Sequence, residues 1–339
     1  MSASYTPPNL QGKIALVAGA TRGTGRGIAV ALGEAGATVY CTGRSSRLTR
    51  RRPRNIADQS GSGFDLSYRL ETIEETAERV TERGGVGIPA VVDHSSPGAV
   101  QKLLARIEKE QGKLDILVND IWGGDALLEF GKPFWQLDLL KGFQMMEGAL
   151  HTHIITSHFA APLLIQSAKE SNSGLIVEVT DGDSYQYRGN LFYDLVKTTV
   201  IRMAFVLARE LRRKNVAAMA LTPGFLRSEV MLDHFRVTEA NWLEAAGKDP
   251  DFAESETPIY SGRAVANLAA DPDIAGKSGR VFSTWALADE YGFCDADGRK
   301  PNWGKHLQKK YGDVLKPCDD DFYRYWTGGM MDTILANWP

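Results

Sequence analysis

The stretch Ala18-Gly19-Ala20-Thr21-Arg22-Gly23-Thr24-Gly25-Arg26-Gly27 lies near the beginning of the chain. Before it, residues 13–17 form a short apolar segment rich in strand-forming side chains. After it, apolar residues from Ile28 to Ala35 recur with the spacing of one helix face. The glycines are therefore predicted to form a turn from a strand into a helix. The free N–H groups of such a turn lie at the positive end of the helix dipole and favour a phosphate.

The glycines Gly19, Gly23 and Gly25 read Gly-x-x-x-Gly-x-Gly. The commoner dinucleotide pattern, Gly-x-Gly-x-x-Gly, fails here because its last position is Ile28. A glycine cluster alone can also be a flexible loop. The preceding strand and the following helix favour a dinucleotide site, with Thr21, Arg22 and Thr24 in the same turn.

The end of the second predicted strand, residues 37–41, bears on the choice of cofactor. A site for NAD usually carries an acid there, which binds the ribose 2′-hydroxyl. No Asp or Glu occurs between Gly36 and Asp58, and Arg44 stands at this point instead. Guanidinium groups bind phosphate in a bidentate fork, so Arg22 and Arg44 favour NADP(H) over NAD(H). The alternative is that both arginines are simply solvated.

Strand-like and helix-like segments alternate along the chain, which predicts βαβ units and a parallel sheet. The helical patterns cover the surroundings of Leu70–Val80 and of Leu103–Ile107, and residues 133–146, 151–171 and 191–213. The predicted strands are residues 13–17, 37–41, 86–92, 114–119, 175–180, 216–221 and 281–282.

The composition limits the function classes. The net charge of −3 over 339 residues gives no general attraction to nucleic acid. No run of 18 apolar residues occurs, so we expect no membrane span. The three cysteines have no metal-ligand spacing, the histidines suggest no metal site, and the odd cysteine count argues against a disulfide framework. These features, with no apolar signal segment at the N-terminus, predict a cytoplasmic protein.

Tyr193 and Lys197 are four residues apart on the predicted helix 191–213, so they lie on one face. A neighbouring ammonium lowers a tyrosine pKa from its usual value of about 10. Such a pair can pass a proton to or from a carbinol oxygen. Tyr-x-x-x-Lys is common on helices, but its place after the fifth strand of a chain with this glycine turn makes it specific.

At this point the chain resembles the short-chain dehydrogenase/reductase family, over about residues 10 to 290. The resemblance rests on the glycine spacing, on polar residues after the third and fourth strands, on the Tyr-x-x-x-Lys pair, and on Pro-Gly followed by a serine. Residues 12–40, 269–272 and 288–292 look closest to the branch called dehydrogenase/reductase member one. The matching site positions are Gly19, Gly23, Gly25, Asp93, Asn119, Tyr193, Lys197, Pro223, Gly224 and Ser228.

The resemblance implies one Rossmann-type α/β domain over residues 1–294, with a doubly wound parallel sheet of about seven strands and helices on both faces. It implies Asp93 at the adenine and Asn119 supporting the cofactor side of the sheet. It also places Ser228 near the nicotinamide carboxamide, beside Pro223-Gly224. Since family members usually pair through helices that include residues 191–213, we expect a homodimer or homotetramer.

The departures from the family pattern concern the reacting centre. Thr180 stands where the family has a serine that polarises the substrate carbonyl, and Ser184 is the alternative donor. Ala149 replaces a water-relaying asparagine, and Asp120 replaces the second asparagine of the turn after the fourth strand. Two further carboxylates near the tyrosine raise its pKa and oppose its activation. They are Asp181 and Asp183.

The function predicted from these residues is hydride transfer between NADP(H) and a ketone, aldehyde or secondary alcohol, an apolar small molecule. Tyr193 is the acid/base, Lys197 tunes it and orients the ribose, and Thr180 is the carbonyl donor. The alternative is a non-catalytic NADP-binding protein of the same fold.

Each of three segments allows more than one interpretation. The arginine-rich residues 44–64 are a solvated loop or a loop folding over the adenosine phosphate. Residues 225–257 are an apolar helical lid over the substrate or ordinary core packing. The aromatic extension, residues 295–339, docks on its own domain or forms a subunit or membrane-surface contact.

Overall fold

The computed structural model describes residues 5–48, 69–184, 186–312 and 322–323. Strands and helices alternate through this part of the chain, as the sequence predicts. The strands are β1 (Ile14–Ala18), β2 (Thr38–Gly43), β3 (Val86–Val91), β4 (Ile116–Asn119), β5 (Gly174–Val179), β6 (Val216–Thr222) and β7 (Val281–Ser283). The α-helices are α1 (Gly23–Glu34), α2 (Ile73–Glu82), α3 (Pro97–Gln111), α4 (Leu139–Met146), α5 (Thr152–Ser171), α6 (Leu191–Leu211), α7 (Glu229–Phe235), α8 (Pro258–Ala270), α9 (Thr284–Tyr291) and α10 (Trp303–Tyr311).

The seven strands form one parallel sheet in the order β3-β2-β1-β4-β5-β6-β7. The predicted Rossmann-type α/β fold is confirmed. The strand order reverses between β1 and β4, and in such sheets ligands bind outside the carboxyl ends of the strands at that reversal. The glycine turn follows β1, so it lies at this crevice.

The core lies on both faces of the sheet, since the central strands are buried and almost wholly apolar. One apolar cluster packs α1 and α8 against one face, and a second packs α3 and α5 against the other. The backbones of α1 and α8 are in close contact, because a Cβ on Gly262 would overlap the Gly27 carbonyl. This contact fixes the helix that begins at the glycine turn.

Several predicted boundaries are wrong. Leu70 precedes α2, whose N-terminus is capped by Thr72. The predicted helix 133–146 begins only at Leu139, because the Asp138 carboxylate caps the N–H groups of Leu140 and Lys141. The helices α4 and α5 are not separated by a loop but joined by a π-helical turn, Glu147–His151, that contains Ala149.

The segment 225–257 holds α7 and two 3₁₀ turns. Its aromatic side chains form a cluster of their own around Phe235, Trp242 and Phe252. The guanidinium groups of Arg227 and Arg299 lie 3.9 and 4.4 Å from the centre of the Trp242 ring. The segment is thereby packed against the residues that follow β7.

The described part of the C-terminal extension contacts the same domain. Trp303 packs edge-on to Phe225 at 5.6 Å, and the Val281 N–H donates to the Tyr323 hydroxyl at 2.8 Å. Within the described ranges, no helix is long and apolar enough to cross a membrane. The same residues contain no group of three His, Cys, Asp or Glu side chains that could hold a metal ion.

Candidate active site

The glycine turn joins β1 to α1 and carries positive φ angles at Gly19 (+94°) and Gly23 (+57°). A Cβ on Gly19 would overlap the Asp120 carbonyl, and one on Gly25 would lie 2.8 Å from Asp120 Oδ2. These two glycines therefore let the turn close on the residue after β4. A Cβ on Gly23 would meet nothing within 4 Å, so the open space needed by a phosphate lies beside Gly23.

The Gly23 N–H donates to Glu229 Oε2 at 2.9 Å. The other carboxylate oxygen of Glu229 lies 3.6 Å from Arg26 Nη1. Glu229 is 206 residues from Gly23, and the sequence did not predict this contact. The available signal was its position directly after Ser228, in the first turn of the next helix.

Arg22 lies in the turn with its Nε 3.5 Å from a Glu71 oxygen. That buried Nε has no hydrogen-bond partner among the described residues. Burial lowers the pKa of Arg22 from its ordinary value, while Glu71 partly offsets this effect. A further anionic partner would stabilise this guanidinium.

Arg44 lies exposed at the end of β2, beside Gly123. Asp93 Oδ1 accepts hydrogen bonds from the Ser95 N–H (3.0 Å) and hydroxyl (2.7 Å). Partial burial raises the pKa of Asp93, but these bonds and the charge of Arg44 outweigh that effect and lower the pKa. The structure thus brings Arg44 and Asp93 together at one edge of the crevice. The arginine-rich residues 49–64 lie outside the described residues.

Tyr193 and Lys197 lie on one face of α6, as predicted. Asn190 caps the helix by accepting the Tyr193 N–H at 3.1 Å. The Tyr193 hydroxyl donates to Asp181 Oδ2 at 2.8 Å. Lys197 Nζ lies 4.3 Å from the centre of the Trp122 ring and 5.8 Å from that of the Tyr193 ring.

Three carboxylates surround this pair. Burial, and then the charge and hydrogen bond of Asp181, raise the pKa of Tyr193 well above its ordinary value. Burial lowers the pKa of Lys197, and the charges of Asp181, Asp120 and Asp125 oppose that effect. Burial also raises the pKa of Asp120 to about 7, although the Lys197 charge works against it. The site therefore keeps the tyrosine protonated.

Thr180 lies one residue beyond β5 and is buried. Its hydroxyl donates to the backbone carbonyl of Lys197 at 2.7 Å. Arg188, for which the sequence predicted no role, holds the loop that follows: its guanidinium donates to the Asp181 carbonyl (2.6 Å) and the Ser184 carbonyl (2.7 Å). Asp183 is hydrogen-bonded to Ser283 at the end of β7, and burial raises its pKa.

The predicted nicotinamide side lies at the end of β6. The Gly224 N–H donates to Glu256 Oε2 at 3.0 Å, and burial raises the pKa of this carboxyl to about 8. Trp303 covers Gly224, because a Cβ there would lie 2.7 Å from the Trp303 Cβ. Ser228 caps α7, and its hydroxyl accepts the Met231 N–H at 3.4 Å.

Asn119 belongs to a buried polar cluster beneath the crevice. Its amide donates to Ser157 Oγ and Glu178 Oε1, both at 2.9 Å. Glu178 Oε2 lies 2.7 Å from His153 Nδ1, and His153 Nε2 lies 3.0 Å from the Ile121 carbonyl oxygen. This cluster fixes the chain after β4, where Asp120 meets the glycine turn. The sequence predicted no partners for Glu178 or His153, because they come from different elements.

Comparison with known proteins identifies the family of the chain. The sequence profile of the short chain dehydrogenase family matches residues 54–237. Dehydrogenase/reductase SDR family member 1 of Mus musculus is 35% identical over 295 residues, which cover 86% of this chain and 85% of that protein. The Homo sapiens protein of that name is 32% identical over 300 residues, with the same coverage.

The chain belongs to the short-chain dehydrogenase/reductase family. Solved structures of low identity share its fold. A short chain dehydrogenase from Mycobacterium thermoresistibile has a TM-score of 0.66 at 20% identity, covering 87% of this chain and 93% of that one. A hydroxysteroid dehydrogenase from Escherichia coli has a TM-score of 0.60 at 19% identity, covering 81% and 96%.

Membership of the short-chain dehydrogenase/reductase family makes the chain one of a group of oxidoreductases that use NAD(P)(H) and act on small molecules. The residues present fit such a cofactor. Gly23 leaves room for a phosphate at the start of α1, and the buried Arg22 Nε has no hydrogen-bond partner in the described chain.

Proposed function

We propose that the chain is an NADP(H)-dependent oxidoreductase that interconverts a carbonyl group and a secondary alcohol on an apolar small molecule. The observation that carries the proposal is the Tyr193–Lys197 pair. Its tyrosine proton is held in a hydrogen bond at the carboxyl edge of the sheet, on the same side as the glycine turn.

The cofactor, when bound, supplies or accepts the hydride, and the protein supplies position and a proton. In reduction, Tyr193 gives its proton to the developing alkoxide, so its hydrogen bond to Asp181 must be released. Lys197 stabilises the phenolate that remains, since a nearby ammonium favours the charged form. The predicted cofactor-binding positions are those of the glycine turn, with Arg44, Asp93, Asn119, Pro223, Gly224 and Ser228.

The preference for NADP(H) is supported by the surroundings of Arg22 and Arg44. Both guanidinium groups stand where the ribose 2′ position is expected, after β1 and β2. Arg22 is largely buried, and burial lowers its pKa, so a phosphate would stabilise its charged form. Strand β2 ends at Gly43 without an acidic residue.

An apolar substrate is supported by the aromatic surroundings of Tyr193. The rings of Trp122 and Phe130 lie edge-on to it, with centres at 5.6 and 6.1 Å. Phe130, Leu127 and Leu128 lie on the loop between β4 and α4, which reaches this site. We propose that this loop forms one wall of the substrate site, opposite the segment 225–257.

The proposed oligomer is a homodimer or homotetramer that pairs through α5 and α6. Exposed apolar side chains on these helices support it, namely Ile154, Leu195 and Val206. The proposed location is the cytoplasm. The thiol of Cys41 is buried and free, as a reducing compartment would keep it.

Two observations favour the alternative of a non-catalytic NADP-binding protein. The Tyr193 hydroxyl is bonded to a carboxylate, and the Thr180 hydroxyl donates to a backbone carbonyl rather than toward the site. Both groups would have to change partners for catalysis.

The test combines cofactor binding with turnover. NADPH and NADH are titrated calorimetrically, and NADPH oxidation is then followed with a panel of apolar ketones and aldehydes. Turnover that depends on Tyr193 supports the enzyme, whereas tight NADPH binding without turnover on any compound supports the binding protein. Absence of binding of either dinucleotide would overturn both.

A further inference from the structure

We propose that Glu229 is an internal competitor of the cofactor: its carboxylate occupies the phosphate-binding N–H of the glycine turn, and cofactor binding displaces it together with α7. The inference rests on the proposed function only in requiring that the cofactor is a dinucleotide.

The contact is specific in geometry. Glu229 Oε2 accepts the Gly23 N–H at 2.9 Å, and its Oε1 lies 3.6 Å from Arg26 Nη1. Gly23 is the first residue of α1, so the carboxylate lies at the positive end of a twelve-residue helix dipole. A Cβ on Gly23 would meet nothing within 4 Å, so there is open space beside this residue, while its N–H is taken by the carboxylate. A carboxylate and a phosphate therefore compete for the same position.

Arg26 does not depend on Glu229. Its guanidinium donates to the Thr21 carbonyl, to Thr76 Oγ1 and to both oxygens of Glu75, with distances between 3.0 and 3.3 Å. Glu229 can therefore leave without exposing an uncompensated buried cation. The Gly23 N–H, in contrast, loses its acceptor when Glu229 leaves, and a pyrophosphate oxygen would replace it.

The charge contacts of α7 connect this competition to the rest of the cofactor site. Asp233, one helical turn after Glu229, pairs with Arg69, and Arg69 also pairs with Glu71. Glu71 is in turn the neighbour of Arg22. A cofactor phosphate at Arg22 or Gly23 would thus weaken the contacts of Glu229 and Asp233, the two carboxylates that hold α7 against the turn.

The displacement would also change the nicotinamide side. Ser228, the N-cap of α7, precedes Glu229 directly, and Pro223 and Gly224 lie five and four residues before Ser228. Movement of α7 away from Gly23 therefore repositions the segment that faces the predicted nicotinamide. Entry of the cofactor and rearrangement of residues 225–235 become a single event.

The first experiment compares NADPH affinity by fluorescence titration in the wild type and in Glu229→Gln, which keeps the side chain's size but removes its charge. We expect Glu229→Gln to bind NADPH about three- to tenfold more tightly, the size of effect typical for a charge at a helix N-terminus. Glu244→Gln is the matched control, since Glu244 is exposed in the same segment and bonds only to Asn241 among its described contacts. It should leave the affinity unchanged.

The second experiment measures hydrogen exchange of residues 229–235 in the wild type with and without saturating NADPH. We expect the cofactor to increase exchange there, and Glu229→Gln to show increased exchange before any cofactor is added. Equal or weaker NADPH binding by Glu229→Gln, with exchange unaffected by the cofactor, would overturn the inference and leave the proposed function standing. If neither protein binds NADPH or NADH, both are overturned.

Discussion

The Tyr193 hydroxyl donates a hydrogen bond of 2.8 Å to Asp181, the residue that follows Thr180 at the end of β5. The proton predicted to reach the substrate is thus held by a carboxylate of the same site. Because the phenolate would face this negative charge, the bond favours the protonated tyrosine. Asp181 thus stabilises the protonated Tyr193, whereas Lys197 is proposed to stabilise its phenolate.

Replacing Tyr193 with phenylalanine tests its role as proton donor. Tyr193→Phe keeps the ring between Trp122 and Phe130 but removes the transferable proton. We expect near-normal NADPH affinity, and turnover lowered about 10²–10⁴-fold, the usual contribution of general acid–base catalysis. Steady-state NADPH oxidation with the best panel substrate measures this change. A variant as active as the wild type would exclude the mechanism.

Replacing Asp181 with asparagine tests whether its charge raises the pKa of Tyr193. The carboxylate raises the pKa of Tyr193, so Asp181→Asn should lower that pKa. Reduction requires the protonated tyrosine, and its rate falls as pH rises through the pKa; the alkaline limb of kcat/KM should therefore move to lower pH. Asp183→Asn is the control, because Asp183 bonds to Ser283. An unmoved alkaline limb in Asp181→Asn would show that Asp181 does not tune the tyrosine.

Thr180 allows a structural role to be separated from a catalytic one. Thr180→Val removes the hydrogen bond to the Lys197 carbonyl and should cost about 1 kcal/mol of unfolding free energy. If the hydroxyl also polarises the substrate carbonyl, turnover should fall as well, because ~2–4 kcal/mol of transition-state stabilisation is lost. Thr180→Ser should retain both. Thermal unfolding and kcat are measured on each variant, and a larger loss in Ser184→Ala would assign the donor role to Ser184.

Arg44 is expected to set the preference between cofactors. We predict that NADPH binds more tightly than NADH and that Arg44→Ala removes most of the difference, since a 2′-phosphate is recognised by guanidinium groups. Arg47→Ala is a suitable control, because Arg47 pairs with Glu78 at 2.6 Å on the surface. Calorimetric titration with both dinucleotides gives the ratio, and equal wild-type affinities would contradict the prediction.

Asp120 is expected to make stability depend on pH. Its pKa is raised to about 7 in the fold against about 3.9 when unfolded, so the fold favours the neutral carboxyl. The free energy of unfolding is therefore highest below pH 4, where Asp120 is neutral in both states, and it falls as pH rises toward 7. Asp120→Asn should therefore raise the melting temperature by about 3 °C or more at pH 8 and little at pH 4. A shift of equal size at both pH values would exclude titration of Asp120 as its cause.

The sequence predicted the sheet and the Tyr193–Lys197 face because both depend on local periodicity. The strand and helix spacings specify βαβ units, and a separation of four residues specifies one helix face whatever packs against it. Local periodicity does not predict the contacts of Thr180. Its position after β5 was predicted, but the direction of its hydroxyl depends on the approach of α6, which the sequence does not encode locally.

The contacts that were missed join residues far apart in the chain. Glu229 meets Gly23 only because β6 and β1 end at the same edge of the sheet. The Glu178–His153 pair similarly requires β5 and α5 to be packed together. Arg188 could have been suspected as a cation beside two aspartates, although its bonds to backbone carbonyls had no sequence signal.

The cover that Trp303 forms over Gly224 has a practical consequence for expression and engineering. A fragment cut at residue 237, where the family match ends, would lack both Glu256 and Trp303, which hold the turn after β6. Ending the chain at 294 would still uncover that turn. The smallest fragment that retains this turn as folded here must therefore extend through α10.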